Sequence, residues 1–524
     1  MATHRLALII ENPSNHDDFL LVKHPRPPKF QDQEYDSFVD SDLWDLPSAH
    51  LNPLQAGSEP PVAVEVASSQ SEELNLGEFD IRSALNEVFQ QIGFGAVEGG
   101  EWKFYKYVKE AAFGPGLPNN TVFIAGKLVA EAVDLRDSHK WISVQSCLNL
   151  LLEVKPQDDR VGPLVVVGRI NESFVSAKWK VPPAINYQEY PPGVTLIPME
   201  SRTAKPFSTT NLVVFAPANV PNDCQDNNFI SSGDALIVDP GCLSRLHGEL
   251  EKIVTALPRR LVVFVTHHHH DHVDGLSVIQ KCNPDATLLA HENTMRRISK
   301  DDWSLGYTSV TGDDEINIGG QRLRAIFAPG HTDGHMALLH MNTHSLIVGD
   351  HCVGQGSALL DITSGGNMSE YFQTTYKFLN LSPHVLISMH GRINLWPKQM
   401  LCGYLKNRRN REANILKAIE GGAKTLFDIV AYVYSDVDRR AWIAASSNVR
   451  LHVDHLAQQH KLPKEFSLQK FKNTCGLQFV SRWIWAYTSG NLHLGKSSFL
   501  LAGIVAGIAV LYSVKSKLSN QTSY

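Results

Sequence analysis

The chain lacks several features that mark particular classes of protein. Its formal net charge is -6 over 524 residues, so no excess of positive charge favours nucleic acid, and such a partner would need a local basic patch. Its seven cysteines show no paired spacing, which indicates reduced thiols in a cytosol-facing protein. The amino terminus, MATHRLALIIE, lacks the long apolar core of a secretory signal. The length and the 43% hydrophobic content predict several globular domains.

The stretch from Leu261 to Gly275, LVVFVTHHHHDHVDG, joins an apolar run to a dense set of imidazoles and carboxylates. The apolar, β-branched run is typical of a fully buried strand. Two histidines at i and i+2 can bind one ion from a turn while the next two side chains face another. The candidate metal ligands are therefore His267, His269, Asp271 and His272. Neutral imidazole together with carboxylate favours zinc or a similar cation. The alternative is a solvated polar loop or a histidine tag, but a tag would not follow a core strand within the chain.

The same arrangement recurs four times. Short apolar runs end at a candidate ligand at Ala235 to Val238, Leu323 to Pro329, Ser345 to Val348 and Val385 to Met389. The residues that follow these runs are Asp239, His331, Asp350 and His390. A metal site built from strand ends on a rigid sheet is expected to have this pattern, whereas chance histidines would be scattered over helices and loops.

These motifs, in this order, resemble the metallo-β-lactamase superfamily. They are Asp239, THHHHDH, PGHTDGH with His331, GD with Asp350, and MHG with His390. The segments APGHTDGHMALL and LKNRRNREANILKAI are most similar to the β-lactamase-like protein 2 group, and the resemblance covers about Pro198 to Leu462. It implies an αββα sandwich. Met389 stands where these relatives usually carry glycine.

The resemblance also implies the role of each residue. One zinc would be held by His267, His269 and His331, and the other by Asp271, His272 and His390. Asp350 would bridge the two zinc ions, and Asp271 and Asp350 would be the catalytic carboxylates. Asp239 would fix the imidazoles by accepting their free N–H protons. Asn211, on the first hairpin of the domain, is a candidate loop-ordering residue, although a plain β-turn is an equal alternative.

Two zinc ions per chain would make this a hydrolase, because two cations create a hydroxide nucleophile from water at neutral pH. No serine or cysteine nucleophile is needed. The superfamily hydrolyses thioesters, lactones, β-lactams and phosphodiesters, and the most similar group includes single-strand-specific endoribonuclease activity. Single-stranded RNA is therefore the leading substrate, and a small-molecule thioester or ester is the alternative. A membrane-tethered, non-enzymatic binding scaffold is a third hypothesis, disfavoured because every ligand position is filled.

The amino-terminal region has a helical pattern between Phe79 and Gly93, with apolar residues at Ile81, Leu85, Val88, Phe89 and Ile92. This helix resembles the Nudix box of nucleoside-diphosphate hydrolases. The two magnesium-binding glutamates of that box fall on Gln90 and Gln91, whose neutral oxygens bind a hard cation poorly. Residues 1–185 are therefore predicted to form a degenerate Nudix-like α/β domain without its own hydrolase activity. An ordinary helix packed on a sheet is the alternative.

The predicted fold class is α+β multidomain. The Nudix-like α/β domain (1–185) precedes the αββα metallo-β-lactamase sandwich (194–400), and a winged-helix domain (401–465) and a linker (466–496) follow. In the winged-helix domain, Lys406, Arg408, Arg409 and Arg411 would lie on the polar side of a helix, a local hint of nucleic-acid contact.

The carboxyl-terminal segment from Ser497 to Val514 has 18 uncharged residues between flanking lysines. It predicts a transmembrane helix that acts as a tail anchor, with a buried helix of a soluble domain as the alternative. Such an anchor would place the protein on an organelle outer membrane, with its catalytic domain facing the cytosol.

Overall fold

The structure is a computed structural model that describes residues 2–55, 62–66, 74–93, 101–127, 137–152, 154–171, 179–217, 228–354 and 356–489. The chain divides into two compact units. The first comprises residues 1–329, 334–358 and 374–402, and the second comprises residues 330–333, 359–373 and 403–524. Three sheets lie in the described part of the first unit.

The amino-terminal part of the first unit is a nine-stranded sheet with helices on both faces. Its strands are β1 (Thr3–Glu11), β2 (Asp18–Lys23), β3 (Leu43–Asp45), β4 (Ser48–His50), β5 (Val64–Glu65), β6 (Trp102–Val108), β7 (Asn119–Lys127), β8 (His139–Ser143) and β9 (Arg160–Val161). The strand order is β5-β6-β7-β1-β2-β3-β9, with β4 paired to β1 and β8 paired to β2. The helices are α1 (Ile81–Ile92), α2 (Val144–Leu152) and α3 (Pro163–Val165), and α3 continues into a π-helical turn, Val166–Ile170.

Helix α1 confirms the helical pattern of the sequence. Asp80 caps it, because its side chain accepts a hydrogen bond from the backbone N–H of Ser83. Its apolar side packs on one face of β1, in a core that includes Leu6 and Leu85. Residues of the opposite face of β1 pack with α2 and α3. The sheet is therefore buried on both faces, as its continuous apolar run from Leu6 to Ile10 requires.

Two further sheets face each other in the rest of the first unit. The seven-stranded sheet has the order β10 (Gln188–Glu189), β11 (Val194–Glu200), β12 (Thr209–Phe215), β14 (Ala235–Val238), β15 (Leu261–Phe264), β16 (Thr287–Ala290) and β17 (Tyr307–Ser309). The six-stranded sheet has the order β13 (Ser231–Gly233), β18 (Glu315–Ile318), β19 (Gln321–Phe327), β20 (Met336–His340), β21 (Ser345–Ile347) and β22 (Val385–Ile387). The helices of this part are α4 (His247–Ala256), α5 (His270–Val273), α6 (Leu276–Cys282) and α7 (Glu292–Met295), while α8 (Met368–Leu381) has residues in both units.

The core of this sandwich lies between the two sheets. Phe215 and Phe264 of the seven-stranded sheet pack in one cluster with Leu338 of the six-stranded sheet. Helices α4 and α6 cover the other face of the seven-stranded sheet, where Leu250 and Ile279 are fully buried. The five strands that the apolar runs predict are all confirmed, as β14, β15, β19, β21 and β22.

Five helices extend from Pro397 to Ser489, and most of their residues belong to the second unit. They are α9 (Pro397–Glu420), α10 (Leu426–Val433), α11 (Trp442–Gln458), α12 (Leu468–Asn473) and α13 (Leu477–Ser489). The predicted linker, 466–496, thus contains two helices. The reason is that Phe471, Phe479 and Trp483 recur at helical spacing and enter the core formed by α10 and α11.

The described part of the chain contains no membrane-spanning helix, which contradicts the predicted transmembrane helix. No helix there combines the length and the apolar character that crossing a bilayer requires. The longest, α9, has 24 residues but carries charged side chains along its length, and each charge is costly inside a membrane. Residues 497–514 lie outside the described residues. The transmembrane part of the predicted fold class and the predicted organelle-membrane location are withdrawn.

Candidate metal centre

The candidate ligands of the first unit lie on loops that leave the carboxyl ends of parallel strands. Asp239 follows β14, and the stretch 267–272 follows β15, its parallel neighbour. Asp350 follows β21, and His390 follows β22, a second parallel pair. Parallel neighbours end at the same edge of a sheet, so each pair of loops begins side by side.

One group of donors consists of His267, His269 and Asp350. A ring nitrogen of each histidine and one oxygen of Asp350 all lie within 4.8 Å of one another. His267 Nε2 is 2.9 Å from His269 Nδ1 and 4.0 Å from Asp350 Oδ2. Ligands that each lie about 2 Å from a zinc ion are separated by distances of this order.

A second group consists of Asp271, His272, Asp350 and His390, and its donor atoms also lie within 4.8 Å of one another. His390 Nε2 is 3.2 Å from Asp350 Oδ1 and 3.4 Å from Asp271 Oδ2. His272 Nε2 is 3.4 Å from Asp350 Oδ1. Asp350 is therefore common to both groups.

Asp239 lies behind this second group and contacts His272. Its Oδ2 accepts a hydrogen bond from His272 Nδ1 at 2.8 Å, and its two oxygens also accept from the backbone N–H and the hydroxyl of Thr266 at 2.7 and 2.6 Å. This contact fixes the proton of Nδ1, so Nε2 is the ring nitrogen that faces Asp350 and would bind a metal. His272 Nε2 is buried and has no hydrogen-bond partner among the described residues.

The pKa values of the second group show how strongly these charges interact. Burial alone would lower the pKa of His272, but the surrounding carboxylates, above all Asp350, hold it well above its usual range. The pKa of His390 is likewise raised to about 9 by Asp350 and Asp271, although burial opposes this. The imidazoles lower the pKa of Asp271 to about 2 against the effect of burial. The site thus has a negative field that favours a bound cation.

Two residues that were given no role from the sequence lie beside the candidate ligand Asp350. His335 donates from Nδ1 to the carbonyl oxygen of Ala328 at 3.0 Å, and its Nε2 accepts from the backbone N–H of Asp350 at 3.1 Å. Gly349 must be glycine there, because its φ is +55° and a Cβ would lie 2.3 Å from His335 Nε2. The signal for His335 was present in the sequence as the second histidine of PGHTDGH.

Thr209 and Asn211 contact residues 388–392, which are called the His390 loop below. His390 Nδ1 donates to the carbonyl oxygen of Thr209 at 2.9 Å. Asn211 donates from Nδ2 to the carbonyl oxygens of Ser388 and Gly391, both at 2.8 Å, and from its backbone N–H to Met389 at 2.7 Å. Asn211 thus links the two sides of the His390 loop, and its loop-ordering role stays a prediction.

His331 belongs to the second unit. Its Nδ1 is 2.5 Å from the carbonyl oxygen of Leu359, to which it donates, and the ring is buried. This contact places the proton of His331 on Nδ1, which makes Nε2 the nitrogen suited to a metal.

Two segments of the chain match known family models. Residues 228–390 match the metallo-beta-lactamase superfamily, and residues 425–465 match the beta-lactamase associated winged helix domain. These matches support the predicted metallo-β-lactamase and winged-helix domains over the matched residues, and the predicted domain boundaries stay predictions. The Nudix-like interpretation of residues 1–185 stays a prediction.

The chain is also similar to several individual proteins at low identity. It is 28% identical over 211 residues to the beta-lactamase-like protein 2 homolog of Drosophila melanogaster, which covers 38% of this chain and 69% of the relative. The homolog of Caenorhabditis elegans is 25% identical over 197 residues, covering 37% of this chain and 64% of the relative. A hydroxyacylglutathione hydrolase of Erwinia tasmaniensis is 32% identical over 143 residues, covering 27% of this chain and 52% of the relative. The chain thus spans about two thirds of the first two relatives and about half of the third.

Among solved structures, one match is a beta-lactamase domain protein from Burkholderia ambifaria. It is 19% identical, with a TM-score of 0.45, and the match covers 56% of this chain and 94% of that chain.

Proposed function

We propose that the protein is a hydrolase that binds two zinc ions and cleaves phosphodiester bonds of single-stranded RNA. The observation that carries the two-metal part is the placement of Asp350. Its Oδ1 lies 3.2 and 3.4 Å from Nε2 of His390 and His272, and its Oδ2 lies 4.0 Å from Nε2 of His267. The two oxygens of one carboxylate therefore face two groups of imidazoles, which supports a bridging role.

The proposed ligands follow from these two groups and from the motif order of the sequence. One ion would be held by His267, His269 and Asp350, with His331 assigned to it by the PGHTDGH motif. The other would be held by Asp271, His272, Asp350 and His390.

The donor set fits zinc. It combines imidazole nitrogens with carboxylate oxygens and contains no thiolate, a combination that zinc accepts at neutral pH. The unpartnered Nε2 of His272 fits as well, because a buried polar atom without a partner is costly and a metal would satisfy it.

Zinc, when bound, supplies a Lewis acid that lowers the pKa of a water molecule and stabilises charge that develops on the substrate. Residues of the chain orient the side chains that would hold the zinc. Asp239 keeps the proton of His272 on Nδ1, and His335 fixes the backbone of Asp350. Asp271 and Asp350 are the proposed catalytic carboxylates, since both face the space between the imidazoles.

RNA is proposed as the substrate because of the similarity to the β-lactamase-like protein 2 homologs. The resemblance to that group implies single-strand-specific endoribonuclease activity. The second candidate is hydrolysis of a small-molecule thioester or ester. It is favoured by the 32% identity to a hydroxyacylglutathione hydrolase, which is confined to 143 aligned residues.

The amino-terminal region is proposed to be a Nudix-like domain without hydrolase activity of its own. Gln90 and Gln91 are exposed on α1 beside Glu87, so that face of the helix offers a single carboxylate where the Nudix box resemblance implies more.

The test is a direct comparison of substrates. Purified full-length protein is incubated with end-labelled single-stranded RNA, with the same RNA in a duplex, and with a panel of thioesters. The proposal expects cleavage of single-stranded RNA that stops when zinc is removed by a chelator and returns when zinc is restored. Zinc-dependent turnover of a thioester with intact RNA would replace the first candidate by the second.

A further inference from the structure

The further inference concerns residues 110–117, which connect β6 to β7 of the amino-terminal sheet and are called the bracing segment below. Although these residues belong to the amino-terminal region, part of the segment is buried in the neighbouring sandwich. Phe113 is 1% exposed and packs in the core between the two sheets, in one cluster with Phe215 and Met389. The bracing segment therefore enters the same core that supports the His390 loop.

One side of the His390 loop is bound to the segment through Arg392. Its Nε and Nη2 donate to the two carboxylate oxygens of Glu110 at 2.6 and 2.9 Å. Nη2 also donates to the carbonyl oxygen of Leu117 at 2.8 Å. A guanidinium that forms two parallel bonds to one carboxylate has a fixed orientation as well as a strong interaction. Arg392 lies two residues after His390, so fixing the Arg392 side chain restrains the backbone of the His390 loop.

The other side of the loop is reached through Thr209. The carbonyl oxygen of Thr209 accepts from His390 Nδ1 at 2.9 Å, and the hydroxyl of Thr209 donates to the carbonyl oxygen of Phe113 at 3.3 Å. Gly391, with φ at +82°, lies close to the segment as well, since a Cβ at this position would be 3.5 Å from the carbonyl oxygen of Gly114. The His390 loop is thus contacted by the bracing segment on both sides.

We propose that the bracing segment positions His390 for metal binding, which makes the amino-terminal region a working part of the metal centre. Glu110 and Arg392 are positioning residues: neither lies in the donor groups, and both act through the backbone of the His390 loop. The inference rests on the proposed two-metal function. It predicts that loosening the segment weakens the metal held by His390 and leaves the metal held by His267 and His269 unchanged.

The experiment compares three variants of the full-length protein. Glu110→Gln keeps the size of the side chain and removes the charge that holds Arg392. Arg392→Lys keeps the charge and removes the fork that binds both oxygens. Glu101→Gln is the matched control, because it makes the same substitution at an exposed position just before β6.

Two measurements are made on each variant. The first is the rate at which each zinc ion is released to a chromophoric chelator. Glu110→Gln and Arg392→Lys should release one zinc about tenfold faster or more, the range that loss of a ligand-orienting contact produces, and the other at the rate of the unmodified protein. The second is hydrogen exchange of peptides covering residues 388–394 in the zinc-free protein, which should be faster in both variants. Peptides covering residues 261–275 should exchange as before, and Glu101→Gln should change neither measurement.

The outcomes separate this inference from the proposed function. An unmodified protein that binds fewer than two zinc ions would refute the two-metal proposal, while faster exchange at residues 388–394 would still support the positioning role. A folded Glu110→Gln or Arg392→Lys protein in which both the exchange and the release rates are unchanged would overturn the inference. Should Glu110→Gln fail to fold, Arg392→Lys alone decides the question.

Discussion

Oδ2 of Asp239 accepts a hydrogen bond from Nδ1 of His272 at 2.8 Å, and neither residue is exposed to solvent. The carboxylate therefore selects the ring form that presents Nε2 to Asp350 and the donors around it. The orientation of the candidate ligand His272 is fixed here by a residue that is 33 positions away in the chain and does not belong to the second donor group.

Replacement of Asp239 by asparagine should weaken zinc binding by about 10- to 100-fold, because a neutral amide orients the imidazole less strongly and lowers its basicity. Competition with a chelator of known affinity measures the change. Asp285→Asn is the control, since Asp285 is an exposed residue paired with Arg259. Equal zinc affinity of Asp239→Asn and the unmodified protein would show that Asp239 has no orienting role.

Elemental analysis of the purified protein should find about two zinc ions per chain. Asp350→Ala should lower this number and abolish hydrolysis, because both donor groups lose a shared ligand. The exposed Asp301→Ala provides the comparison. If Asp350→Ala kept two zinc ions and most of the rate, the bridging assignment would be refuted.

The zinc-free protein should lose stability as the pH rises from about 6.5 to about 9. The pKa of His390 is raised from 6.5 to about 9 in the folded chain, so the folded chain binds more protons than the unfolded chain in this window. The stabilisation is therefore fully present below pH 6.5 and is lost as the pH passes 9. The raised pKa of His272 acts in the same direction.

Thermal unfolding of chelator-treated protein at several pH values measures this dependence. The zinc-loaded protein should show a smaller dependence, because the metal replaces the protons on these imidazoles. An equal slope for the two forms would indicate that the histidines titrate independently of the metal site.

The full-length Asp350→Ala protein should show no magnesium-dependent hydrolysis of nucleoside diphosphate derivatives. Its metal centre would be inactive, so any turnover would have to come from residues 1–185, where Gln90 and Gln91 replace the expected carboxylates. Release of phosphate or of a nucleoside monophosphate is the readout. Clear turnover that increases with magnesium would contradict the inactive Nudix-like interpretation.

The clustering of the candidate ligands could be predicted from the sequence because each follows an apolar run that forms a strand. The pattern is local, so Asp239, Asp350 and His390 could be recognised from their immediate neighbours. The contacts that position them are not local. Thr209 meets His390, and Glu110 meets Arg392, across 181 and 282 positions of the chain. Contacts between residues so far apart in the chain leave no short-range pattern in the sequence.

The solvent exposure of the arginines on α9 could not be predicted from the sequence either. The arginines of α9 were expected on its polar side, yet Arg408 is 4% exposed, and its guanidinium carbon lies 4.9 Å from the centre of the Tyr371 ring. Arg411 lies 4.1 Å from the centre of the Tyr434 ring. Arginine can be buried against an aromatic face, so the residue type alone does not predict a solvent-exposed position.

The pairing of β22 with β21 has a consequence for biosynthesis. His390 follows β22, the last strand of its sheet, whereas His272 follows a strand formed much earlier in the chain. When residues 239–272 leave the ribosome, His390 has not yet been synthesised. The second group of donors remains incomplete until β22 has joined its sheet. The four donors of this group are therefore brought together only after the last strand of the sandwich has formed.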